Sequence, residues 1–208
     1  MTGRVRRTPE EAQRLILEAA ELLLVEGGPR AVEVRAVAQR VGMTDAGVTH
    51  HFQNRESLLV ALLSRAGGRR LRGAVEAASS RWLNGVVSVS DLVETMAAVY
   101  ADGYGELAIA LHAAGWRPDG QGMLEPVVDA LHGARRRTGS GSPRRIETRL
   151  AVAALHQALA TDPTYGVAFR NSAGIANPAA QDPRAQRRWW AATIATVLGI
   201  PAAPSSRT

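Results

Sequence analysis

Residues 34–58 read VRAVAQRVGMTDAGVTHHFQNRESL, and the punctuation of this stretch constrains the fold more than any other feature of the chain. Val34, Val37, Ala38 and Val41 share one face of a short helix, which Gly42 closes as a C-cap glycine does. Thr44 is placed to cap a second short helix running to about His51. After Phe52, Asn54 caps a third helix whose apolar side carries Leu58, Leu59, Leu62 and Leu63. Val37, Ala38, Val41, Val48 and Phe52 are then left to form a small common core, with the residues between them facing outward.

The same reading extends in both directions. Upstream, Thr8, Pro9 and Glu11 make a capping box with proline at the first helical position, and the helix they open runs through Leu15, Ile16, Ala19, Leu22 and Leu23 to Gly27-Gly28-Pro29. Downstream, Ser90 opens a helix, Gly103 and Gly105 interrupt it, and the stretch from Gly115 to Gly122 ends the next. A further helix spans about 123 to 137, ahead of the linker-like Thr138-Gly139-Ser140-Gly141-Ser142. Ser142-Pro143 restarts a helix that Asp162-Pro163 is expected to stop, a loose stretch with Asn171, Gly174, Asn177 and Pro178 follows, and Asp182-Pro183 caps a last helix to Leu198. No segment alternates over several residues as a half-buried strand does, so the expected class is all-α.

Composition narrows the chemistry. The 208 residues contain no cysteine, which excludes disulfide scaffolds, zinc ribbons, iron–sulfur clusters and thiol catalysis. No GxSxG elbow, HExxH, P-loop or GxGxxG occurs, so neither an enzyme nor a resident cofactor is expected. The N-terminus MTGRVRRTPEEAQ lacks an apolar signal core and no later stretch reaches the roughly 18 apolar residues of a membrane span, so the expected location is cytoplasmic, with no membrane partner. All 25 basic residues are arginine and the net charge is +6, a bias suited to a polyanionic partner. Residues 82–134 run against it, with one arginine facing seven acids, which hints at a cationic or amphipathic ligand or else at a solvated acidic face.

Two short helices joined by Gly42-Met43-Thr44 make a helix-turn-helix, in which the first helix braces and the second enters the major groove of double-stranded DNA. Thr44, Asp45, Ala46, Gly47, Thr49 and His50 are the candidate DNA-facing residues, with Ala46 and Gly47 small enough for close backbone approach. Arg55, at the positive end of the next helix, is a candidate phosphate contact, and the arm Arg4, Arg6 and Arg7 can lie in an adjacent minor groove.

The segment resembles the DNA-binding domain of TetR-family transcriptional repressors. The resemblance rests on Val37-Ala38, Gly42, Thr44, His51-Phe52, Arg55-Glu56 and Leu58, and covers about residues 10 to 63. It implies an N-terminal three-helix DNA-binding domain, here residues 1–56, and an all-α C-terminal domain, here 57–208, that binds a small-molecule effector and forms a homodimer on a palindromic operator. Candidate effector contacts are Met96, Tyr100, Tyr104, His112, Trp116, Met123 and Phe169, several of them paired four apart on a helix face. The resemblance also implies that the helices at about 146–160 and 183–198 pair with their copies, Trp189, Trp190, Ile194 and Val197 supplying anchors. Three positions depart from the family pattern: Thr49 where tyrosine is common, Glu33 or Val34 where a threonine often caps, and Asp45, an acid on the recognition helix. These departures keep open a helical ligand-binding or enzymatic protein with a degenerate helix-turn-helix, alongside a regulator without a small-molecule effector.

Overall fold

The computed structural model describes residues 8–83, 88–117, 124–138 and 142–201, and among them the regular structure is helical throughout, with no strand. Helix α1 (Pro9–Ala31) opens with the expected capping box: the Thr8 hydroxyl accepts the Glu11 N–H, and the Glu11 carboxylate accepts the Thr8 N–H. Its regular part ends at Gly27 and Gly28, whose backbone leaves helical geometry. The short helices α2 (Val34–Val41), α3 (Asp45–Phe52) and α4 (Arg55–Ala61) follow, and Gly42 adopts the left-handed conformation, φ +67°, that glycine allows at low cost.

A π-helical turn, Leu62–Gly67, joins α4 to α5 (Gly68–Leu83), and a second, Tyr100–Tyr104, joins α6 (Val89–Val99) to α7 (Gly105–Ala113). The helix-opening residue here is Ser88, not Ser90: the Ser88 hydroxyl accepts the Asp91 N–H, which starts α6 at Val89. The remaining elements are α8 (Glu125–Thr138), α9 (Arg145–Ser172), a single 3₁₀ turn (Ala179–Gln181) and α10 (Arg184–Leu198).

Pro163 does not end α9. Proline removes one backbone donor and usually breaks a helix interior, but the helix beyond it is anchored from outside. Arg170, only 5% exposed, donates through Nε to the Ala180 carbonyl at 2.6 Å and through Nη1 to Gln186 at 2.8 Å and to Asp162. Asn171, expected in a loose stretch, therefore lies within the helix.

Two apolar cores result. The first gathers Ile16, Leu17 and Leu24 of α1, Val37 and Ala38 of α2, Val48 and Phe52 of α3 and Leu58 of α4, and it also takes in Leu62, Tyr104, Leu107 and Leu111. The second holds Leu92, Met96, Tyr100, Val128, Leu131, Val152, Leu155, Ile194 and Leu198 from α6, α8, α9, α10 and the second π turn. The two π turns meet between them. A Cβ on Gly67 would lie 2.8 Å from the Tyr104 ring, and Gly103, at φ +95°, packs where a Cβ would sit 2.9 Å from Leu24 Cγ.

Candidate nucleic-acid interface

Helix α3 is held from three sides, by α1, α2 and α4, and its inward row is Val48 and Phe52, four residues apart and buried. Thr44, Asp45, Ala46, Thr49 and His50 are exposed, and Gly47 is half-exposed. The Thr44 hydroxyl accepts the Gly47 N–H at 3.1 Å, fixing the first turn. Nothing in the fold demands glycine at 47: a Cβ there would meet Thr44 Oγ1 at 3.4 Å, an ordinary contact. Glycine inside a helix costs about 1 kcal/mol relative to alanine, so its presence on the outward face points to a requirement outside the folded chain. The Thr49 hydroxyl donates back to the Asp45 carbonyl at 2.7 Å, turning it along its own helix.

The region from the middle of α1 to the end of α4 matches a known family. Residues 16–62 fit the profile of the bacterial regulatory proteins of the tetR family. The helix-turn-helix is a TetR-family DNA-binding domain. Residues 16–62 are accordingly a DNA-binding segment of the kind that bacterial regulatory proteins carry. No curated protein sequence matches the chain. Among solved structures, one described as the molecular basis for control of antibiotic production by bacterial hormones is similar with a TM-score of 0.58 at 22% identity, over 96% of this chain and 100% of its own. The fatty acid degradation regulator FadR from Bacillus halodurans is similar with a TM-score of 0.51 at 15% identity, over 93% of this chain and 96% of its own. At such identities the likeness is one of fold, and it extends well beyond the TetR-type domain into the helical remainder.

Around this TetR-type reader the cations are placed unevenly. Arg40 is paired with Glu26, Arg14 with Glu18, and Arg65 donates to Gln13. Arg30, in the last turn of α1, and Arg35, in the first turn of α2, lie exposed and, among the described residues, form no ion pair. Nothing in their spacing sets them apart in sequence; the packing of Val37 and Ala38 shows that Arg35 is on the outward face of α2, and the kink at Gly27 and Gly28 sets the course of the turn that carries Arg30. Arg55 is differently engaged: its guanidinium donates to the Val32 carbonyl at 2.9 Å and to the Pro29 carbonyl at 2.7 Å, and pairs with Glu33 at 2.9 Å. Arg4, Arg6 and Arg7 lie outside the described residues, as does Met123.

The candidate effector contacts do not converge. Met96 and Tyr100 are buried in the second core, Tyr104 in the first, while Trp116 packs at the edge of the first with His112 edge-on to it at 5.3 Å. Phe169 is exposed and stacks on Tyr165. The structure adds His156 of α9, which the Tyr100 hydroxyl meets at Nδ1; burial pushes the tyrosine up and lowers the histidine below its ordinary value. Tyr104 donates to Glu21 of α1 at 3.0 Å, and burial first, then the Glu21 charge, pushes its ionisation up. Only the helical spacing of the tyrosines was visible in sequence; their partners lie 56 and 83 residues away.

The acidic excess of residues 82–134 is largely answered within the chain. Glu94 pairs with Arg187, Asp102 with Arg70, Glu125 with Arg145 and Arg149, and Asp129 with Arg145. The charge asymmetry thus describes how α6 to α8 meet the arginines of α5, α9 and α10. Among the described residues, no helix is long and apolar enough to cross a membrane.

Proposed function

We propose that the chain is a homodimeric repressor that binds a palindromic operator and leaves it when a small molecule binds the C-terminal region. Thr44, Asp45, Ala46, Gly47, Thr49 and His50 read or approach the base edges, Arg30 and Arg35 contact the backbone, and Arg4, Arg6 and Arg7 reach into an adjacent minor groove. The observation that carries this reading is the outward row of α3: small, exposed side chains and a glycine the fold does not require. Dimerisation through α9 and α10 is supported by Leu150, Trp189 and Val197, which are 64, 59 and 60% exposed, with Ile146 and Phe169 of α9 exposed as well. A two-fold dimer presents two recognition helices about 34 to 36 Å apart, or a multiple of one DNA turn, hence a palindrome.

The test is selection from a random-sequence duplex library at near-physiological salt, with the mass of the retained complex measured by light scattering. An enriched inverted repeat held by two copies is the expected result. Binding without sequence enrichment that vanishes at moderate salt would sink the operator reading, and a retained monomer would sink the dimer. Release is judged on the enriched duplex by screening small molecules. An effector that weakens DNA binding by some factor must itself be bound more weakly by the same factor on DNA, since equilibrium coupling is reciprocal.

A further inference from the structure

Arg55 occupies the first position of α4, where the helix dipole disfavours a cation. Its guanidinium is directed away from that end toward the turn linking α1 to α2, where Pro29 and Val32 present backbone carbonyls that accept from its planar fork and Glu33 supplies the counter-charge. Glu33 itself stands at the cap position of α2 and makes no capping hydrogen bond, so its carboxylate is spent on Arg55. Between α3 and Arg55 lies Gln53, held at φ +62°, a region non-glycine residues seldom enter. Such a residue persists only where its surroundings over-determine it. Here the Gln53 N–H donates to the Thr49 carbonyl at 2.6 Å on one side, and on the other Asn54 caps α4 and Arg55 ties that helix to residues 29–33.

We propose that Arg55 and Glu33 form a latch that sets the angle of the recognition helix, making Arg55 a positioning residue for sequence readout instead of a phosphate contact. The latch fixes the end of α3 against the start of α2, the two elements whose relative tilt decides which base edges the exposed residues of α3 reach. It also explains the acid at position 33: a carboxylate close to DNA is unfavourable for affinity, and its presence is accounted for by the guanidinium it holds. This inference rests on the DNA-binding reading for its consequence, but the latch itself belongs to the free protein.

The discriminating variants are Arg55→Ala and Arg55→Lys. A phosphate contact tolerates lysine, which keeps the charge; a latch does not, because an ammonium cannot present two parallel N–H groups to two carbonyls and a carboxylate. Binding is measured across a salt series to the duplex enriched by the wild-type protein and to a scrambled duplex of equal length, and amide exchange is measured on the free proteins. Both variants are expected to lower the preference for the enriched duplex about tenfold, the scale of one misread base pair. The salt slope stays at the wild-type value, and exchange at residues 44–53 quickens while α9 and α10 are unchanged. A slope smaller by about one unit in Arg55→Ala with preference intact, or wild-type preference and slope in Arg55→Lys, would overturn the latch. If the wild-type protein prefers no duplex, the DNA-binding reading fails separately, and exchange still decides: unaltered protection at 44–53 in both variants refutes the latch.

Discussion

The DNA-binding end and the C-terminal bundle are both built of helices, but they are held by different means. In the first, helix ends are fastened within a few residues of themselves: Thr8 with Glu11, Thr44 with Gly47, Asn54 with Ser57, and Gly42 in its left-handed turn. In the second, α6 keeps a local cap in Ser88, but α9 opens with no side-chain cap and most fastenings reach across the fold, from Arg135 to the Leu198 carbonyl, from Arg145 to Glu125, and from Arg170 to Ala180 and Gln186. Local fastenings let short helices hold one shape with small side chains, which a surface that must match a groove requires. Distant fastenings make a bundle whose helices depend on one another, so that disturbing one element is felt by several.

Breaking a distant fastening has the largest expected effect. Arg170→Ala leaves Asp162 and the Ala180 carbonyl without their buried partner, and removal of one member of a buried ion pair costs about 3–5 kcal/mol; denaturant unfolding should show that loss, and a change under about 1 kcal/mol would mean the network is dispensable. Gly103→Ala strains a positive-φ residue and pushes a methyl toward Leu24, for about 2 kcal/mol by the same measurement, and a neutral result would show that the π turn can shift. Thr44→Ala removes a local cap, for about 1 kcal/mol.

Gly47→Ala reverses the sign. It should stabilise the free protein by about 0.5–1 kcal/mol while weakening its hold on DNA, and a stabilised variant with unchanged DNA affinity would remove the argument from that glycine. The smallest effect concerns pH. Burial lowers the His156 pKa below the ordinary 6.5, so the unfolded chain binds the proton more readily and stability falls as pH drops through and below that value. His156→Gln should flatten the fall in stability as pH drops through the ordinary histidine pKa of 6.5; an unchanged slope would show that another group is responsible.

The same contrast explains what could be read without coordinates. A cap and the residue three on whose N–H it accepts are visible as letters, so the starts of α1, α3 and α4 are legible nearly to the residue. Pro163 signals a stop by a sound local rule, and Arg170, whose partners are spread over residues 162 to 186, overrides it. Ser90 looks like the helix opener in sequence, but the cap is Ser88, because the outcome depends on which hydroxyl reaches the Asp91 N–H. The outward row of α3 followed from Val48 and Phe52 alone. Arg55 was legible as a cation at a helix start but not as the partner of carbonyls 23 and 26 residues away, since no periodicity encodes a turn folding back.

The second π turn sets two tyrosines four residues apart, one hydroxyl engaged by His156 in the bundle and the other by Glu21 beneath the DNA-binding end. Melting either core strips this turn of half its fastening and exposes a ring the other core has packed around. The two regions therefore share one cooperative unfolding event: a calorimetric scan should give a single peak whose measured enthalpy equals the van't Hoff value, where two loosely tethered domains would melt one after the other.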